Sequence, residues 1–436
     1  MNKILLYIIT VSIVFLFSCS KDKDDQKPMI TISSPLVLQK VTGGETINII
    51  GSITDNQNIE RITVTLRDEN NTPILSTITK SPNAEGSTSY ELNEFFSFDN
   101  LQMLSGQYDF KITATDGENT AVKFISILFK EFEKQREGVF VVGNGGNFSS
   151  VYLLENNFSS SFYASINGDF IGASIDLYNQ QLINVAKSVG NISATDLFLK
   201  NELWSVPVIG SPPTPYYTGF YFNDQTTYLG KRDGGLQGYD RYGNPSFSTG
   251  TNTGFFMESA FIHNETYFVM EEKPIVVNNS SKISLSWLYS GAHVQQSTIN
   301  SDVKGMYSST DNRIVLIAND ASLNAEVIFY DIPSGGITSP FNISSLGKID
   351  DCLEVSNGVY LVAANGNLRF VDINNYSTLV YLNGVIADKI WLDILENELY
   401  VAYGSSLSIY DYSTKVLKGS YSHTEEIEDV LFWYNK

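Results

Sequence analysis

A short apolar strand recurs seven times after Gly138, and this repeat constrains the fold more than any other feature of the sequence. Most copies follow a pair of turn-forming residues such as Asn223-Asp224 or Asn357-Gly358. The seven copies cover residues 139–142, 182–185, 227–229, 267–269, 314–317, 360–363 and 400–402. Copies of about 43 residues account for the 299 residues from Gly138 to Lys436, a length that suits a four-stranded propeller blade. The repeat therefore predicts a seven-bladed β-propeller over residues 138–436.

The end of the sequence predicts how this ring closes. An apolar strand precedes each of the last recurring strands, as in residues 349–355 and 390–394. Residues 427–434 form another such strand, and no further copy follows it. An unpaired edge strand is costly and prone to aggregation. We therefore expect this C-terminal strand to complete the blade that begins at Gly138 and to close the propeller.

Aspartates end a second strand in several copies of the repeat. They are Asp240, Asp331, Asp372 and Asp411. A short carboxylate can accept hydrogen bonds from backbone N–H groups about two residues further on, so these aspartates are predicted to stabilise hairpin turns. A metal site is the disfavoured interpretation, because one aspartate per blade would place the ligands far apart on the ring.

Residues 28–131 contain short segments that alternate between apolar and polar positions, which predicts a sandwich of β-strands. The predicted strands cover residues 30–32, 46–53, 62–66, 74–78, 90–98, 108–114 and 122–129. Residues 106–119 resemble the late hairpin of immunoglobulin-like and PKD-type modules, with Tyr108 entering a strand and Asp116-Gly117 forming the tight turn. The resemblance implies an immunoglobulin-like β-sandwich that serves as a spacer or as a ligand-binding module. The predicted fold is all-β.

The first residues resemble a bacterial lipoprotein signal. A basic start at Lys3 is followed by an apolar run over residues 4–17 and by the small residue and cysteine of Ser18-Cys19. The run of fourteen residues is shorter than the roughly 20 that a membrane-spanning helix needs. The resemblance implies a signal peptide over residues 1–18 and a membrane anchor of lipid chains, palmitate among them, on Cys19.

Residues 19–27 are charged and almost without apolar side chains, which predicts a flexible tether between the lipid and the first domain. Asp22, Asp24 and Asp25 resemble the acidic export signal that follows the lipidated cysteine in surface lipoproteins of Bacteroidota. The resemblance implies an outer-membrane location with the protein displayed on the cell surface.

Composition excludes one class of partner and leaves few catalytic residues. The net charge of −20 repels phosphate backbones, which excludes nucleic acid as a partner. Cys352 would remain as the single thiol and is predicted to be buried and inert. His263, His293 and His423 lie far apart in the sequence and do not form a metal-ligand pattern, and His263 is predicted at a turn or on the surface. We therefore predict no metal and no cofactor.

Adjacent carboxylates are predicted to be poor catalytic candidates. Asp350-Asp351 and Glu271-Glu272 each lie in a predicted strand, where neighbouring side chains point to opposite faces. A glycosidase needs two carboxylates that face one sugar bond. The pairs are therefore poor catalytic candidates, and an enzyme assembled from residues of several blades is the alternative.

Residues 201–242 are the part of the sequence richest in side chains that recognise ligands. Aromatic rings give large contact areas, arginine gives a fork of hydrogen-bond donors, and the prolines near residue 213 would stiffen the loop. The predicted ligand-binding residues are Trp204, Tyr216, Tyr217, Arg232 and Arg241. The alternative is that Tyr221 and Tyr239 of this segment, which fall in predicted strands, fill the core of a blade.

The opening copy, residues 138–148, resembles the start of the propeller in a family of Bacteroidota outer-membrane lipoproteins related to surface-layer and amine-dehydrogenase-like propellers. Some members of that family capture nutrients above a TonB-dependent transporter. The resemblance implies a surface lipoprotein that binds a nutrient, a glycan or a protein through one mouth of the propeller. The alternatives are a propeller-fold hydrolase or lyase, and a structural adhesion or assembly protein. Convergent carboxylates in one mouth would favour the enzyme, and an apolar, aromatic-lined mouth would favour capture.

Overall fold

The computed structural model describes residues 24–81, 87–155, 157–208, 210, 213–223, 225–276, 280–310 and 312–436. The predicted signal peptide and Cys19 lie outside the described residues. Almost all regular structure in the described part is β-strand, apart from one 3-10 turn at Ser344–Leu346. No helix in this part is long and apolar enough to cross a membrane. The chain divides into two compact units, one up to Glu133 and one from Lys134 to Lys436.

The first unit consists of two sheets that share one apolar core. Its strands are β1 Met29–Ser34, β2 Gln39–Thr42, β3 Thr46–Thr54, β4 Arg61–Arg67, β5 Ile78–Lys80, β6 Ser89–Ser97, β7 Gly106–Thr115 and β8 Thr120–Lys130. The strand orders are β1-β3-β6 and β2-β8-β7-β4-β5. Ile49 of β3 and Phe96 of β6 pack in the same core as Phe110 of β7, because each strand turns alternate residues inward. The immunoglobulin-like assignment stays a prediction.

Two details of this unit differ from the strands predicted from sequence. The predicted strand over 74–78 is wrong, since β5 spans Ile78–Lys80. The short strand β2 was not predicted, because its four residues, Gln39–Thr42, are too few and too polar to show a period of two. It is held by parallel pairing with β8, a long-range contact that local sequence does not record.

The second unit contains seven four-stranded antiparallel sheets among its described residues. Its strands up to the third sheet are β9 Arg136–Asn144, β10 Phe148–Leu154, β11 Ser160–Asn167, β12 Phe170–Asp176, β13 Gln181–Ala186, β14 Ile192–Asp196, β15 Glu202–Val206, β16 Tyr217–Asn223, β17 Thr226–Lys231, β18 Gly235–Tyr239 and β19 Pro245–Gly250. The next are β20 Phe255–His263, β21 Tyr267–Pro274, β22 Ser281–Trp287, β23 His293–Ile299, β24 Asp302–Thr310, β25 Arg313–Asn319, β26 Ala325–Asp331 and β27 Gly336–Asn342. The last are β28 Ile349–Ser356, β29 Val359–Ala364, β30 Asn367–Asp372, β31 Ser377–Asn383, β32 Lys389–Asp393, β33 Glu398–Tyr403, β34 Ser406–Asp411, β35 Leu417–Ser422 and β36 Glu426–Tyr434.

The C-terminal strand closes the ring. The sheet order β11-β10-β9-β36 places β36 beside β9, with Val430 opposite Val141. The innermost strands β12, β16, β20, β24, β28, β32 and β36 contact one another in sequence around the ring, and β36 returns to β12. Seven sheets arranged around one axis and closed by the chain's last strand are a β-propeller. The predicted pairing of the two ends of residues 138–436 is confirmed by this strand register.

The recurring apolar strand of the sequence is the second strand of every blade. It corresponds to β9, β13, β17, β21, β25, β29 and β33, and all six residues of β13 are buried. A second strand lies in the middle of its sheet and is covered on both faces by neighbouring blades, so both of its faces must be apolar. This burial explains why the repeat was visible as a continuous apolar run rather than as an alternation.

The aspartates that end the third strands have the predicted role. Asp240 accepts hydrogen bonds from the backbone N–H groups of Tyr242 and Asn244, at 2.9 and 2.8 Å. Asp331, Asp372 and Asp411 accept equivalent bonds from backbone N–H groups two or three residues further on. Each carboxylate therefore stabilises the turn between the third and fourth strands of its blade.

Candidate functional site

Two chambers occupy the centre of the ring. We call the end at which the innermost strands begin the upper face and the opposite end the lower face. The upper chamber has a volume of about 620 Å³ and the lower chamber about 490 Å³. Trp391 and Asp429 line both chambers, so the two spaces meet at these residues. Ligand sites in propellers and barrels form at such mouths, where side chains from several strands converge.

β-Bulges place charged side chains around the upper chamber. In six of the seven innermost strands the pairing with the second strand skips one residue close to the upper end. The skipped residues are Ile171, Thr218, Glu258, Lys304, Asp350 and Glu428, and all but Lys304 line the chamber. A bulge leaves one residue without a partner in the ladder and turns its side chain in a new direction. The repeated bulge therefore builds the chamber wall.

This bulge corrects the interpretation of one acidic pair. Asp350 and Asp351 were expected to point to opposite faces of a strand, but both line the upper chamber. The reason is that Ile349 and Asp351 oppose Ala364 and Ala363, so Asp350 is an extra residue that breaks the alternation. Glu428 and Asp429 of β36 line the chamber in the same way.

The upper chamber has a large excess of carboxylates. Its charged lining residues are Asp169, Lys187, Glu258, Asp350, Asp351, Asp388, Lys389, Glu428 and Asp429. Three of the carboxylates have lysine partners: Glu428 with Lys389, Asp350 with Lys348, and Glu258 with Lys273. The other four, Asp169, Asp351, Asp388 and Asp429, form no ion pair with a described residue.

Burial in the chamber wall raises the pKa values of two of these carboxyl groups. Desolvation raises the pKa of Asp429 to about 7, although the nearby Lys389 and hydrogen bonds from the Val430 N–H and the Trp391 indole at 2.9 Å lower it. Desolvation also raises the pKa of Asp351 to about 6, against a 2.8 Å hydrogen bond from the backbone N–H of Ile390. Carboxylic acids with such values can exchange protons at physiological pH.

The lower chamber is mainly apolar. Its walls include Leu177, Leu353, Leu392, Leu431 and Phe432. The ring of Trp391 lies at the boundary, with its indole N–H directed to Asp429. The lining of the two chambers thus changes along the ring axis from acidic in the upper chamber to apolar in the lower chamber.

The five binding residues predicted from sequence do not form one cluster. Trp204 and Arg241 lie together at the lower face, where the Trp204 indole donates to the Arg241 carbonyl oxygen at 2.7 Å. Tyr217 is 1% exposed and fills the core of a blade, so it is not available to a ligand. Tyr216 is half-buried beside it, with the ring centroids 4.7 Å apart. Arg232 lines a separate cavity on the upper face.

Sequence reasoning missed the chamber because its residues are scattered over six blades. A signal was present, however, because consecutive charged residues begin several innermost strands. These pairs are Asp350-Asp351, Asp388-Lys389 and Glu428-Asp429. Placing the pairs at one position of the repeat would have indicated that they meet at one end of the ring.

The isolated histidine and cysteine positions are structural. His263 was predicted at a turn or on the surface, but it is fully buried at the end of β20, with its Nδ1 2.9 Å from the Ser308 hydroxyl. The prediction was wrong because the strand continues through residue 263 and the neighbouring blade covers it. Cys352 is a buried free thiol, as predicted, and burial raises its pKa.

One group of carboxylates among the described residues could hold a metal ion. Asp24, Asp55 and Asp116 of the first unit each place a carboxylate oxygen within 4.8 Å of the other two. Desolvation raises the pKa of Asp55, and the charges of Asp116 and Asp24 add to that effect. The group was not found from sequence because its members come from three distant segments.

Comparisons with known proteins add similarity of structure only. No protein-family model matches the chain, and no curated protein matches it. The chain is similar to the structure of a quinoprotein alcohol dehydrogenase-like protein from Bacteroides thetaiotaomicron, with 13% identity over 92% of this chain and 99% of that one and a TM-score of 0.48. It is also similar to the computationally designed Ika8 protein, with 13% identity over 70% and 98% and a TM-score of 0.47. A third similar structure is the propeller domain of Cps50 (Swd1) from Myceliophteria thermophila. It has 10% identity over 60% of this chain and 89% of that one, with a TM-score of 0.44. The assignment as a β-propeller rests on the strand pairing of the chain itself.

Proposed function

We propose that this chain is a lipid-anchored protein of the outer-membrane surface whose propeller captures a ligand with cationic groups in the upper chamber. The observation that carries the proposal is the group of four chamber carboxylates, Asp169, Asp351, Asp388 and Asp429, which form no ion pair with a described residue. A cleft lined by one sign of charge concentrates ligands of the opposite sign. A ligand with amino groups would supply the counter-charges that the described residues leave out.

The lower chamber supports an apolar part in the same ligand. Trp391 borders both chambers, and an aromatic face attracts cations as well as apolar groups. The two chambers together are large enough for a small molecule of ordinary metabolite size. An aromatic or aliphatic amine would place its ammonium group among the carboxylates and its apolar part against Leu392 and Phe432.

The rest of the chain supplies the anchor in this proposal. Cys19 carries the lipid, residues 19–27 form the tether, and the first unit acts as an immunoglobulin-like spacer. The protein would hold its ligand at the cell surface and pass it to a TonB-dependent transporter. The support for this part is the lipoprotein-like start of the sequence and the sharing of one core by the two sheets of the first unit.

Titration calorimetry with amines of increasing apolar content tests the proposal. The probes are putrescine, spermidine and tyramine at pH 8 and low salt, with succinate as the anionic control. We expect the amines to bind and succinate not to bind. The double variant Asp169→Asn/Asp388→Asn should weaken amine binding about thirtyfold, because each of the two charges contributes roughly 1 kcal/mol at a partly solvated site. Asp331→Asn removes the same charge at a lower-face turn and should leave the affinity unchanged. Equal amine affinities in the unmodified protein and both variants would reject the upper chamber as the binding site.

A second candidate function is supported by the raised pKa values of Asp351 and Asp429. A hydrolase or lyase acting on a glycan needs one protonated and one ionised carboxyl group near the same bond, and both residues line the upper chamber. Chromogenic glycosides and uronides are the substrates that test it. Turnover that is lost in Asp429→Asn while putrescine still binds would support catalysis. No turnover by the unmodified protein would exclude it for those substrates.

A further inference from the structure

A separate cavity on the upper face is lined by both basic and acidic residues. It has a volume of about 340 Å³ and is formed by parts of three consecutive blades. Its walls include Arg232 after β17, Phe256 of β20, Ile275 after β21, Asn300 before β24 and Leu323 after β25. We call it the Arg232 pocket. It shares no lining residue with the upper chamber.

Arg232 is held in place by the pocket wall. Its guanidinium carbon lies 4.7 Å from the centroid of the Phe256 ring, and its Nη2 donates to the Ile275 carbonyl oxygen at 3.2 Å. Neither contact neutralises the charge, and Arg232 forms no ion pair with a described residue. Arg232 is one of the residues that line the cavity. Arg232 is half-buried, so part of its charge is already removed from water.

The other charged groups of the pocket are already occupied. Lys273 lies 3.1 Å from Asp302 and 3.9 Å from Glu271, and Asp302 also pairs with Lys304 at 2.8 Å. The Asp320 carboxylate accepts bonds from the backbone N–H groups of Ser322 and Asn324, both at 2.8 Å. Arg232 is therefore the cationic group of the pocket that has no counter-ion among the described residues.

We propose that the Arg232 pocket binds the carboxylate of a small molecule that has an apolar body. A planar guanidinium matches a carboxylate with two parallel hydrogen bonds, and its position is fixed before the ligand arrives. The apolar body would lie against Phe256, Ile275 and Leu323. Asp302 and Asp320 in the same wall disfavour a phosphate dianion, because the second negative charge would be repelled.

Phenylacetate, 4-phenylbutyrate, phenyl phosphate and benzylamine are the probes that test this pocket. Titration of the full chain should show binding of phenylacetate and 4-phenylbutyrate and weaker binding of phenyl phosphate. Variants of Arg232 should bind benzylamine as the unmodified protein does. Arg232→Gln should weaken phenylacetate binding at least tenfold. Arg232→Lys should recover only part of that loss, because lysine keeps the charge but not the fork.

Two further variants make the outcome specific. Arg313→Gln removes a comparable arginine, which stacks on Phe329 at 4.8 Å in another blade, and should leave phenylacetate affinity unchanged. Asp429→Asn alters the upper chamber and should also leave it unchanged, so the two sites can fail independently. Melting temperatures of Arg232→Gln and the unmodified protein check that the fold is intact. No binding of either carboxylate, equal binding by Arg232→Gln, or tighter binding of phenyl phosphate would overturn the proposal.

Discussion

Carboxylate side chains lie at both ends of the ring, but the two ends differ in how these groups are paired with cations. At the lower face, Asp393 and Glu398 are 0% and 4% exposed and surround the guanidinium of Arg136 at 2.9 and 2.5 Å. At the upper end, Asp351 and Asp429 line the chamber and form no ion pair within the described part of the chain. The lower group is an ionic network inside the closed ring, and we call it the closure network. Its other members are Tyr400, Lys418 and Tyr434.

The pKa shifts of the two groups differ in sign. Burial alone would raise the pKa of Glu398, but hydrogen bonds from Lys418, Arg136 and Tyr400 together lower it. Burial raises the pKa of Asp429 to about 7, because its partners are too few to offset the desolvation. The comparison shows that burial does not decide the role of a carboxylate. Paired carboxylates stabilise the closed ring, and unpaired ones reduce its stability and remain available for a ligand.

The largest expected effect comes from breaking the closure network with Arg136→Met. Asp393 and Glu398 would stay buried after losing a shared counter-ion, and removing one partner of a buried pair costs about 3 to 5 kcal/mol. Arg136 begins β9, which pairs with the C-terminal strand, so the loss should open the ring at its closure point. Urea unfolding at pH 7 measures the free energy of unfolding. Arg313→Met is the matched control, because Arg313 begins β25 in another blade and stacks on Phe329. A loss of similar size in both variants would contradict a special role for the closure network.

The second effect has the opposite sign and comes from Asp429→Asn. An asparagine oxygen can keep the bonds from Trp391 and Val430 while avoiding a buried charge. Because the folded-state pKa of Asp429 is raised, its ionisation lowers the stability as pH rises from about 4 to about 7. We expect the stability advantage of the variant over the unmodified protein to be about 2 to 3 kcal/mol larger at pH 8 than at pH 5.

Unfolding curves at the two pH values measure this difference. Asp331→Asn is the control, since the pKa of Asp331 is lowered by its turn and the group stays ionised over this range. A destabilising Asp429→Asn at pH 8 would mean that the carboxylate is stabilised by charges that the described residues do not show.

The propeller was predictable because its signals are local and repeated. The second strand of each blade is apolar on both faces, and the same run therefore returned seven times. The turn aspartates act on residues next to them in sequence, so their role was predictable as well. The closure could be predicted because residues 427–434 had no neighbour within their own copy.

The candidate site was not predictable in the same way. The chamber depends on bulges at residues such as Asp350 and Glu428, and a bulge is defined by pairing between strands rather than by the sequence of one strand. The segment that supplied the predicted site residues was chosen by composition. The fold divides it between the lower face, where Arg241 lies, and the upper face, where Arg232 lies. Composition shows which residues can bind a ligand but not which of them meet.

The third prediction measures how the upper chamber changes charge with pH. Asp351 and Asp429 lose their protons between pH 5.5 and 8, so the chamber becomes more negative over this range. Putrescine stays protonated throughout, as lysine does. Its affinity should rise about tenfold from pH 5.5 to 8, which corresponds to roughly 1.4 kcal/mol. Asp429→Asn should reduce this rise. An affinity that is independent of pH would place the amine away from both carboxylates.

The smallest expected effect concerns a carboxylate that is paired only with backbone and amide groups, Asp372. The Asn375 side chain and the backbone N–H groups of Asn375 and Asn374 lower the pKa of Asp372. Asp372→Ala removes these bonds and should cost about 0.5 to 1 kcal/mol at pH 7. Because the folded-state pKa is lowered, the contribution of Asp372 is present above its unfolded pKa near 3.8 and is lost as pH falls below it. The unfolding curves of Asp372→Ala and of the unmodified protein should therefore differ at pH 7 and coincide at pH 3. Asp372→Asn should keep most of the stability, because an amide oxygen accepts the same backbone bonds. A loss as large as that of Arg136→Met would show that the turn, and not the closure network, limits the stability of the ring.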